Sequence, residues 1–296
     1  MLVSFSASNF LSFKDPIEFS TRATRERQHS QRVFSHRGSE LKLVPISAIF
    51  GGNASGKSNF YRAVLFLRRL VLRLPQTADE QIGAEPFKLD DGLSESLPSR
   101  FIIEILPSDT VFRLTVAVAR DGIVEERLEE VRGERRVLIY SRLRPSQTKE
   151  TAWDVEPLQR RAKSAGDREF VGFKTRDTLP NQLFLGALRG KNVPVVDEIS
   201  AWFSDQLALM LPDSTFKRLE FNLPTTRGLL EFCNETLRTA DTGVYDISLQ
   251  KVTWQDFPVP PDLKEEIKKN LGERQLTFVL SPDGRRFSVT RHHGEL

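Results

Sequence analysis

One run of residues, from 44 to 74, constrains the fold more than any other part of the chain. An apolar run that ends at Phe50 leads into the glycine-rich segment Gly51-Gly-Asn-Ala-Ser-Gly-Lys-Ser58, after which apolar residues recur at helical spacing. The segment matches the pattern G-x-x-x-x-G-K-[ST], which is a phosphate-binding loop (P-loop) where it joins a strand to a helix. We therefore predict a buried strand over residues 46–50 and an amphipathic helix over residues 59–74.

The residue types of this loop suit the binding of a nucleoside triphosphate. Gly51 and Gly56 let the backbone curl round a phosphate, so that the amides of residues 52–58 point inward, next to the positive end of the helix dipole. Lys57 is predicted to contact the β- and γ-phosphates, and the Ser58 hydroxyl is predicted to ligate Mg²⁺. The residues predicted to bind nucleotide are Gly51, Gly52, Asn53, Ala54, Ser55, Gly56, Lys57, Ser58 and Asn59.

The composition excludes several classes of protein. The 43 basic and 40 acidic residues give a net charge of only +3, which is not typical of a chain that coats nucleic acid. A single cysteine, Cys233, excludes a disulfide framework and is interpreted as a small buried residue in a reducing compartment. No signal peptide is legible, and no apolar run approaches the roughly 20 residues of a membrane span. We expect a soluble, cytoplasmic protein with no membrane partner.

Alternating apolar residues predict antiparallel strands on both sides of the P-loop segment. The first 20 residues are predicted to form a hairpin that turns around Asp15-Pro16. Four strands with good turn residues between them are predicted as a β-meander, in which residues 111–119 bury one face. The meander strands are predicted at residues 101–106, 111–119, 123–131 and 136–141.

The sequence becomes more polar near residue 144, and residues 145–176 are predicted to be exposed helix and loop. Helices are predicted at 183–188, 199–211, 229–239 and 263–271, and a last hairpin at 275–280 and 286–290. The predicted domains are an ATPase N-lobe over residues 1–144, a mainly helical insertion over 145–272, and a returning β-hairpin over 273–296.

Hydrolysis of a triphosphate also needs carboxylates that hold Mg²⁺ and polarise a water molecule. The candidates are Asp197 and Glu198, which follow a short apolar run and resemble a Walker B pair. In that interpretation Asp197 holds Mg²⁺ through water and Glu198 is the general base, while Asn53 is a candidate for contact with the γ-phosphate or the attacking water. Pro194 argues against a central strand, so the preferred interpretation is a helix with both acids in its first turn.

Two other features resemble parts of an ATPase but have simpler explanations. The segment from Ser281 to Arg286 resembles a signature loop, yet the apolar runs on both sides of it favour a hairpin turn. His292 and His293 are candidates for a switch histidine, but no Walker B strand precedes them.

The opening residues and the P-loop together resemble a known family. Phe5-x-x-x-Asn9-Phe10-x-Ser12-Phe13-Lys14, followed by the P-loop through Asn59, is similar to the start of the SMC/RecF/OLD-like ABC-type ATPases. It most resembles the bacterial RloA-like group, which are AAA-type ATPases of restriction-linked and phage-defence loci. Leu11 stands where the motif usually has a basic residue. Softer matches lie at residues 122–126, 180–185 and 240–247.

The resemblance implies an α/β fold, namely a P-loop ABC-type ATPase N-lobe with an antiparallel β-meander and an inserted mainly helical arm. In that family a C-terminal lobe carries the signature loop, the Walker B pair and the switch histidine. The chain matches the N-lobe and the arm and stops about where the signature would begin, so whether it is an ATP hydrolase by itself stays open. The expected cofactors are ATP and Mg²⁺. The choice of ATP over GTP is implied by the resemblance alone, because the P-loop contacts phosphates and no base-reading residues are identifiable.

The resemblance further implies a sensor or regulator subunit in anti-phage defence, or in related DNA maintenance. ATP would be sandwiched in a homodimer or higher oligomer, and its closure would license an effector nuclease or toxin. DNA is a further candidate partner, since four arginines lie on the P-loop helix, although such arginines are usually solvated. Two alternatives are a self-sufficient P-loop NTPase that uses Asp197 and Glu198, and a non-catalytic scaffold organised by ATP.

Overall fold

The computed structural model describes residues 1–25, 29–36, 40–145, 150–211, 223, 226–241, 243–248, 250, 252–272, 276–280 and 286–290. The chain divides into two compact units, Met1–Leu209 and Met210–Leu296. The division lies after residue 209, whereas the predicted domain boundaries lie after residues 144 and 272. Those domain boundaries stay a prediction.

The first unit is built on a seven-stranded antiparallel sheet. The strands of this unit are β1 (Leu2–Ser8), β2 (Ile17–Ser20), the short pair β3 (Phe34–Ser35) and β4 (Lys42–Leu43), β5 (Ser99–Ile105), β6 (Val111–Ala119), β7 (Gly122–Arg132), β8 (Arg135–Leu143) and β9 (Ala152–Asp154). The large sheet has the order β2-β1-β5-β6-β7-β8-β9, and all neighbouring strands in it are antiparallel. The predicted first hairpin and the predicted four-strand meander are therefore confirmed.

Helix α1 (Lys57–Leu72) packs its apolar face against this sheet. The helix begins directly after Gly56 and ends shortly before Pro75, a residue that cannot donate a backbone hydrogen bond. The predicted helix over residues 59–74 is confirmed within two residues at each end. The side chains that α1 buries recur every three or four positions and are Ala63, Val64, Leu67, Leu70 and Val71.

Short helices follow the sheet in the first unit. They are α2 (Glu156–Arg160), α3 (Ala165–Asp177), α4 (Phe184–Leu188) and α5 (Pro194–Ala201), which runs on into a π-helical turn at Trp202–Gln206. The predicted helix at 183–188 is confirmed. The helix predicted at 199–211 is wrong in its bounds, because helix formation begins at Pro194, whose missing N–H is tolerated in a first turn. The edge strand β9 also replaces part of the helix and loop predicted for residues 145–176.

The second unit contains α6 (Leu229–Thr239), α7 (Pro261–Asn270) and a hairpin of β10 (Leu276–Leu280) and β11 (Arg286–Thr290). These elements confirm the helices predicted at 229–239 and 263–271 and the predicted last hairpin. The second unit has a small apolar core formed by Phe257, Val259, Ile267, Leu271 and Val289. Within the described residues, no helix of either unit combines the length and apolar character needed to cross a membrane.

The buried strand predicted at residues 46–50 is wrong. These residues form no strand, and Ile46 and Phe50 are 84% and 90% exposed. A strand needs a hydrogen-bonded neighbour, and no described strand pairs with this segment. The apolar run before the P-loop is therefore left as an exposed surface beside it.

The single buried face predicted for β6 is also wrong, since Thr115 and Ala117 on its second face are 4% and 2% exposed. Arg100 and Glu125 are the cross-strand partners of Ala117 on the two neighbouring strands. Their side chains form an ion pair of 2.6 Å. Long paired side chains on the two neighbouring strands shield this small residue from solvent.

Candidate nucleotide-binding site

The P-loop has the backbone conformation that its glycines permit. Gly56 is the residue that precedes α1, and its φ of +93° lies in the left-handed region. Ala54 has a φ of +62°, so two of the three residues from 54 to 56 have a positive φ. The Phe60 amide donates to the Gly56 carbonyl over 2.9 Å, and the Ser55 amide donates to the Gly52 carbonyl over 3.3 Å. The loop is thus a compact turn joined to the first turn of a helix.

Close neighbours restrict a side chain at two glycine positions, more strictly at Gly56, where φ is positive, than at Gly51, where the nearest atom is a rotatable hydroxyl. A Cβ atom on Gly56 would lie 2.9 Å from Cε1 of Phe13, which is closer than carbon atoms normally approach. A Cβ atom on Gly51 would lie 2.5 Å from the Ser55 hydroxyl oxygen. No such neighbour lies within 4 Å of a Cβ on Gly52. The loop therefore has a tightly packed inner side and an open outer side.

Lys57 folds back over this loop. Its ammonium group donates to the carbonyl oxygens of Gly51 and Gly52 over 2.6 and 2.7 Å, and lies 3.4 Å from the Ser55 hydroxyl. The Lys57 and Ser58 side chains are both exposed. The site thus combines an exposed positive charge, a hydroxyl and the N-terminus of a 16-residue helix. This is the donor set that a triphosphate with Mg²⁺ requires, so the residues fit that ligand.

The loop between β1 and β2 packs against the P-loop. Phe13 contacts Gly56, and the Ser12 hydroxyl accepts a hydrogen bond of 2.7 Å from the Asn59 side chain. The turn predicted around Asp15-Pro16 is wrong in its extent, because residues 9–16 all connect β1 to β2 and form a longer loop that contains a bridge between Phe10 and Phe13. The Asn9-Phe10-x-Ser12-Phe13 motif is therefore a structural neighbour of the P-loop, which the spacing of these residues alone did not predict.

Asn9 holds this loop against the chain that precedes β5. Its side-chain amide donates to the Ser94 and Leu97 carbonyls over 2.8 Å each, and its oxygen accepts from the Phe87 amide over 3.0 Å. Asn9 is 7% exposed and has a φ of +49°, a conformation that asparagine tolerates better than most residues. Three hydrogen bonds from one buried side chain fix the position from which Ser12 and Phe13 reach the P-loop.

The structure places Asp197 and Glu198 in helix α5, not at the end of a strand. The Asp197 carboxylate accepts a hydrogen bond of 2.8 Å from the Gly190 amide. The preferred interpretation of a helix start is therefore confirmed for Asp197, whereas Glu198 lies beyond the first turn of α5. The catalytic role of the two acids stays a prediction, as do the roles of individual P-loop residues.

The signature-like segment and the two candidate switch histidines stay predictions. Residues 281–285 and the two histidines at 292 and 293 lie outside the described residues, and Cys233 is a half-buried free thiol. A groove of about 430 Å³ lies on the sheet and is not lined by P-loop residues. One of its carboxylates, Glu104, is bound by Arg22 at 2.9 Å and by Arg113 at 2.8 Å, so it is already paired with two cationic side chains.

Comparison with known proteins agrees with a P-loop assignment. No curated protein shows significant similarity to the chain. Residues 46–222 match a protein family described as "AAA domain, putative AbiEii toxin, Type IV TA system". The match covers more than half of the 296 residues and includes the P-loop, α1 and the meander. The chain therefore belongs to this family of AAA-type P-loop ATPase domains.

Proposed function

We propose that the chain binds Mg-ATP through residues 51–59. The observation that supports this proposal best is the P-loop itself, in which Gly56 adopts a left-handed conformation and Lys57 lies over loop carbonyls. The amides of residues 52–58 would hold phosphate oxygens, and Lys57 would exchange its bonds to the loop for bonds to the phosphates. Ser58 would ligate Mg²⁺, which neutralises phosphate charge when bound. Asn53 and Asn59 complete the proposed set.

We further propose that the chain is an ABC-type sensor or regulator that works as a dimer. The P-loop and its lysine are exposed, whereas phosphate chemistry needs a site from which water is excluded. Beside the P-loop, Ile46, Ile49 and Phe50 are 84%, 47% and 90% exposed, which suits a surface that a second protein surface covers. Closure over bound ATP would be the output that licenses an effector nuclease or toxin. The toxin–antitoxin description of the family supports this role in defence.

Two alternatives use the same P-loop. A self-sufficient NTPase would need Asp197 and Glu198 as its Mg²⁺ ligand and general base, and the position of Asp197 in a helix, bonded to a backbone amide, counts against it. A scaffold would bind ATP without turnover. A role in DNA maintenance is a variant of the leading proposal, with DNA in place of the effector.

The test measures phosphate release and molecular mass in solution for the purified full chain, with and without Mg-ATP. The leading proposal predicts a larger mass with Mg-ATP and little phosphate release by the chain alone. A monomer with steady turnover that Asp197→Ala abolishes would contradict it and favour the self-sufficient enzyme. A larger mass with Mg-ATP and no phosphate release also fits the ATP-organised scaffold, whereas a mass that does not depend on nucleotide would contradict both the leading proposal and the scaffold.

A further inference from the structure

A carboxylate is buried where the meander meets helix α4. Glu126 of β7 is fully buried, and its oxygens accept hydrogen bonds from the Phe184 amide at 2.7 Å, the Leu185 amide at 2.9 Å and the Tyr140 hydroxyl at 2.7 Å. The two amides are the first of α4, which have no partner within their own helix. Burial raises the pKa of Glu126, while the Arg142 charge and the three hydrogen bonds oppose that rise. Glu126 therefore caps α4 from a neighbouring strand.

A buried guanidinium binds carbonyl groups of the residues just before α4. Arg142 of β8 is the cross-strand partner of Glu126 and is 2% exposed. It donates to the Gln182 carbonyl over 2.7 Å and lies 3.4 Å from the carbonyls of Leu179 and Pro180. Side chains of the neighbouring strands β7 and β8 thus bind both backbone amides and backbone carbonyls of residues 179–185. We call Glu126, Arg142 and this segment the clamp.

The clamp also contacts the chain that follows the P-loop helix. The Asn181 side-chain amide donates to the Thr77 and Glu80 carbonyls over 2.9 Å each, and Asn181 is 2% exposed. A Cβ atom on Gly186 of α4 would lie 3.2 Å from the Val71 carbonyl and 3.3 Å from the Arg73 carbonyl. The loop after α1 is therefore bonded to the clamp, and the C-terminal end of α1 packs against α4, the helix that Glu126 caps.

The last contact matters because α1 starts at the P-loop. A 16-residue helix behaves as a rigid rod, so a shift at Gly56 reaches Val71. Arg68 on the same helix donates to the Phe203 carbonyl over 2.8 Å, which adds a second hold on its C-terminal half. A buried hydrogen-bonded group cannot move away from its partners without a large loss of free energy. The segment and α1 are therefore expected to move together.

We propose that Glu126, Arg142 and Asn181 are positioning residues, through which nucleotide occupancy of the P-loop is coupled to the β-meander. This inference rests on the proposed binding of Mg-ATP, and it goes beyond it by naming a connection remote from the phosphates. By linkage, a clamp that responds to nucleotide must also affect the affinity for nucleotide.

The test uses two clamp variants and one matched control in the full chain. Glu126→Gln removes an acceptor from the start of α4, and Asn181→Ala removes the bonds to the loop after α1. Glu104→Gln is the control, because Glu104 is also a carboxylate, is 6% exposed and binds two arginines on the same sheet. It lies between Ile103 and Ile105 of the core, so it faces away from α1.

Two quantities are measured, namely the Kd for Mg-ATP and the hydrogen exchange of residues 57–72 and 183–188 with and without Mg-ATP. We expect both clamp variants to raise the Kd on the order of tenfold. We also expect Mg-ATP to protect residues 183–188 in the wild-type chain and in Glu104→Gln, but not in the clamp variants. All three variants are expected to lower the melting temperature, so the melting temperature does not distinguish the clamp variants from the control and is not the readout.

Each outcome separates the inference from the function on which it rests. If the wild-type chain binds Mg-ATP and the clamp variants bind it with the wild-type Kd and the wild-type pattern of protection, the inference is overturned and the proposed function stands. If the wild-type chain does not bind Mg-ATP, both are overturned. If Glu126→Gln does not fold, Asn181→Ala decides the question, because that substitution leaves no buried charge without a partner.

Discussion

The packing of Gly56 allows the P-loop geometry to be tested quantitatively with the substitution Gly56→Ala. An L-residue at a φ of +93° loses about 1–2 kcal/mol relative to glycine. The new Cβ would also lie 2.9 Å from the Phe13 ring, and overpacking of this kind costs about 1–3 kcal/mol. Phe13 is only half-buried and can shift, so we take the lower part of the combined range, about 2–3 kcal/mol. If that penalty disfavours the binding-competent loop, the Kd for Mg-ATP rises roughly 30- to 150-fold.

The assay is a binding titration of Gly56→Ala against Gly52→Ala, which makes the same chemical change in the same loop. A Cβ on Gly52 meets no atom within 4 Å, so Gly52→Ala is expected to change the Kd by no more than about two- to threefold. The double variant Phe13→Ala/Gly56→Ala removes the steric part of the penalty and keeps the backbone part. Its Kd is therefore expected to lie between those of the wild type and Gly56→Ala. Equal Kd values for Gly56→Ala and Gly52→Ala would refute the reasoning.

Three further predictions concern other parts of the first unit. Asp197→Ala is expected to lower stability by about 1 kcal/mol through its lost backbone hydrogen bond, and to leave the Kd for Mg-ATP unchanged, as urea unfolding and titration can check. Burial alone would raise the pKa of Glu104, but Arg22 and Arg113 hold it below its usual value. The wild type is thus expected to be more stable than Glu104→Gln above about pH 4.3, the pKa of an unfolded glutamate. This advantage is lost as the pH falls through the lower pKa of Glu104 in the folded protein, and urea unfolding at pH 3–7 measures it. Asn59→Ala removes an exposed hydrogen bond to the loop after β1, so it is expected to lower the free energy of unfolding by no more than about 1.5 kcal/mol. A larger loss would contradict the modest role of that contact.

The elements whose signals are local could be predicted from the sequence. The α1 side chains recur at helical spacing after a glycine-rich loop, and the meander strands are separated by residues that favour tight turns. Pro194 likewise argued correctly against a strand before Asp197, since α5 begins there. In each case the decisive residues lie within one turn or one strand of the element they define.

The errors arose where distant contacts decide the structure. Residues 46–50 have the composition of a buried strand, but a strand forms only where another strand supplies hydrogen bonds. Thr115 and Ala117 looked exposed because strand alternation does not show which long side chains cover them. Glu126 could not be recognised as a helix cap, since the helix it caps begins 58 residues later. Likewise, Phe13 gave no sign in its own segment that it limits the size of residue 56.

The central claim is that residues 51–59 bind Mg-ATP, and calorimetric titration of the full chain tests it most directly. Lys57→Ala is the matched variant, because the Lys57 side chain is exposed and bonds only to oxygen atoms of an exposed loop. The account predicts saturable, Mg²⁺-dependent binding by the wild-type chain, and loss of that binding in Lys57→Ala with an unchanged melting temperature. Binding of equal affinity by both proteins, or no binding by the wild-type chain, would contradict it.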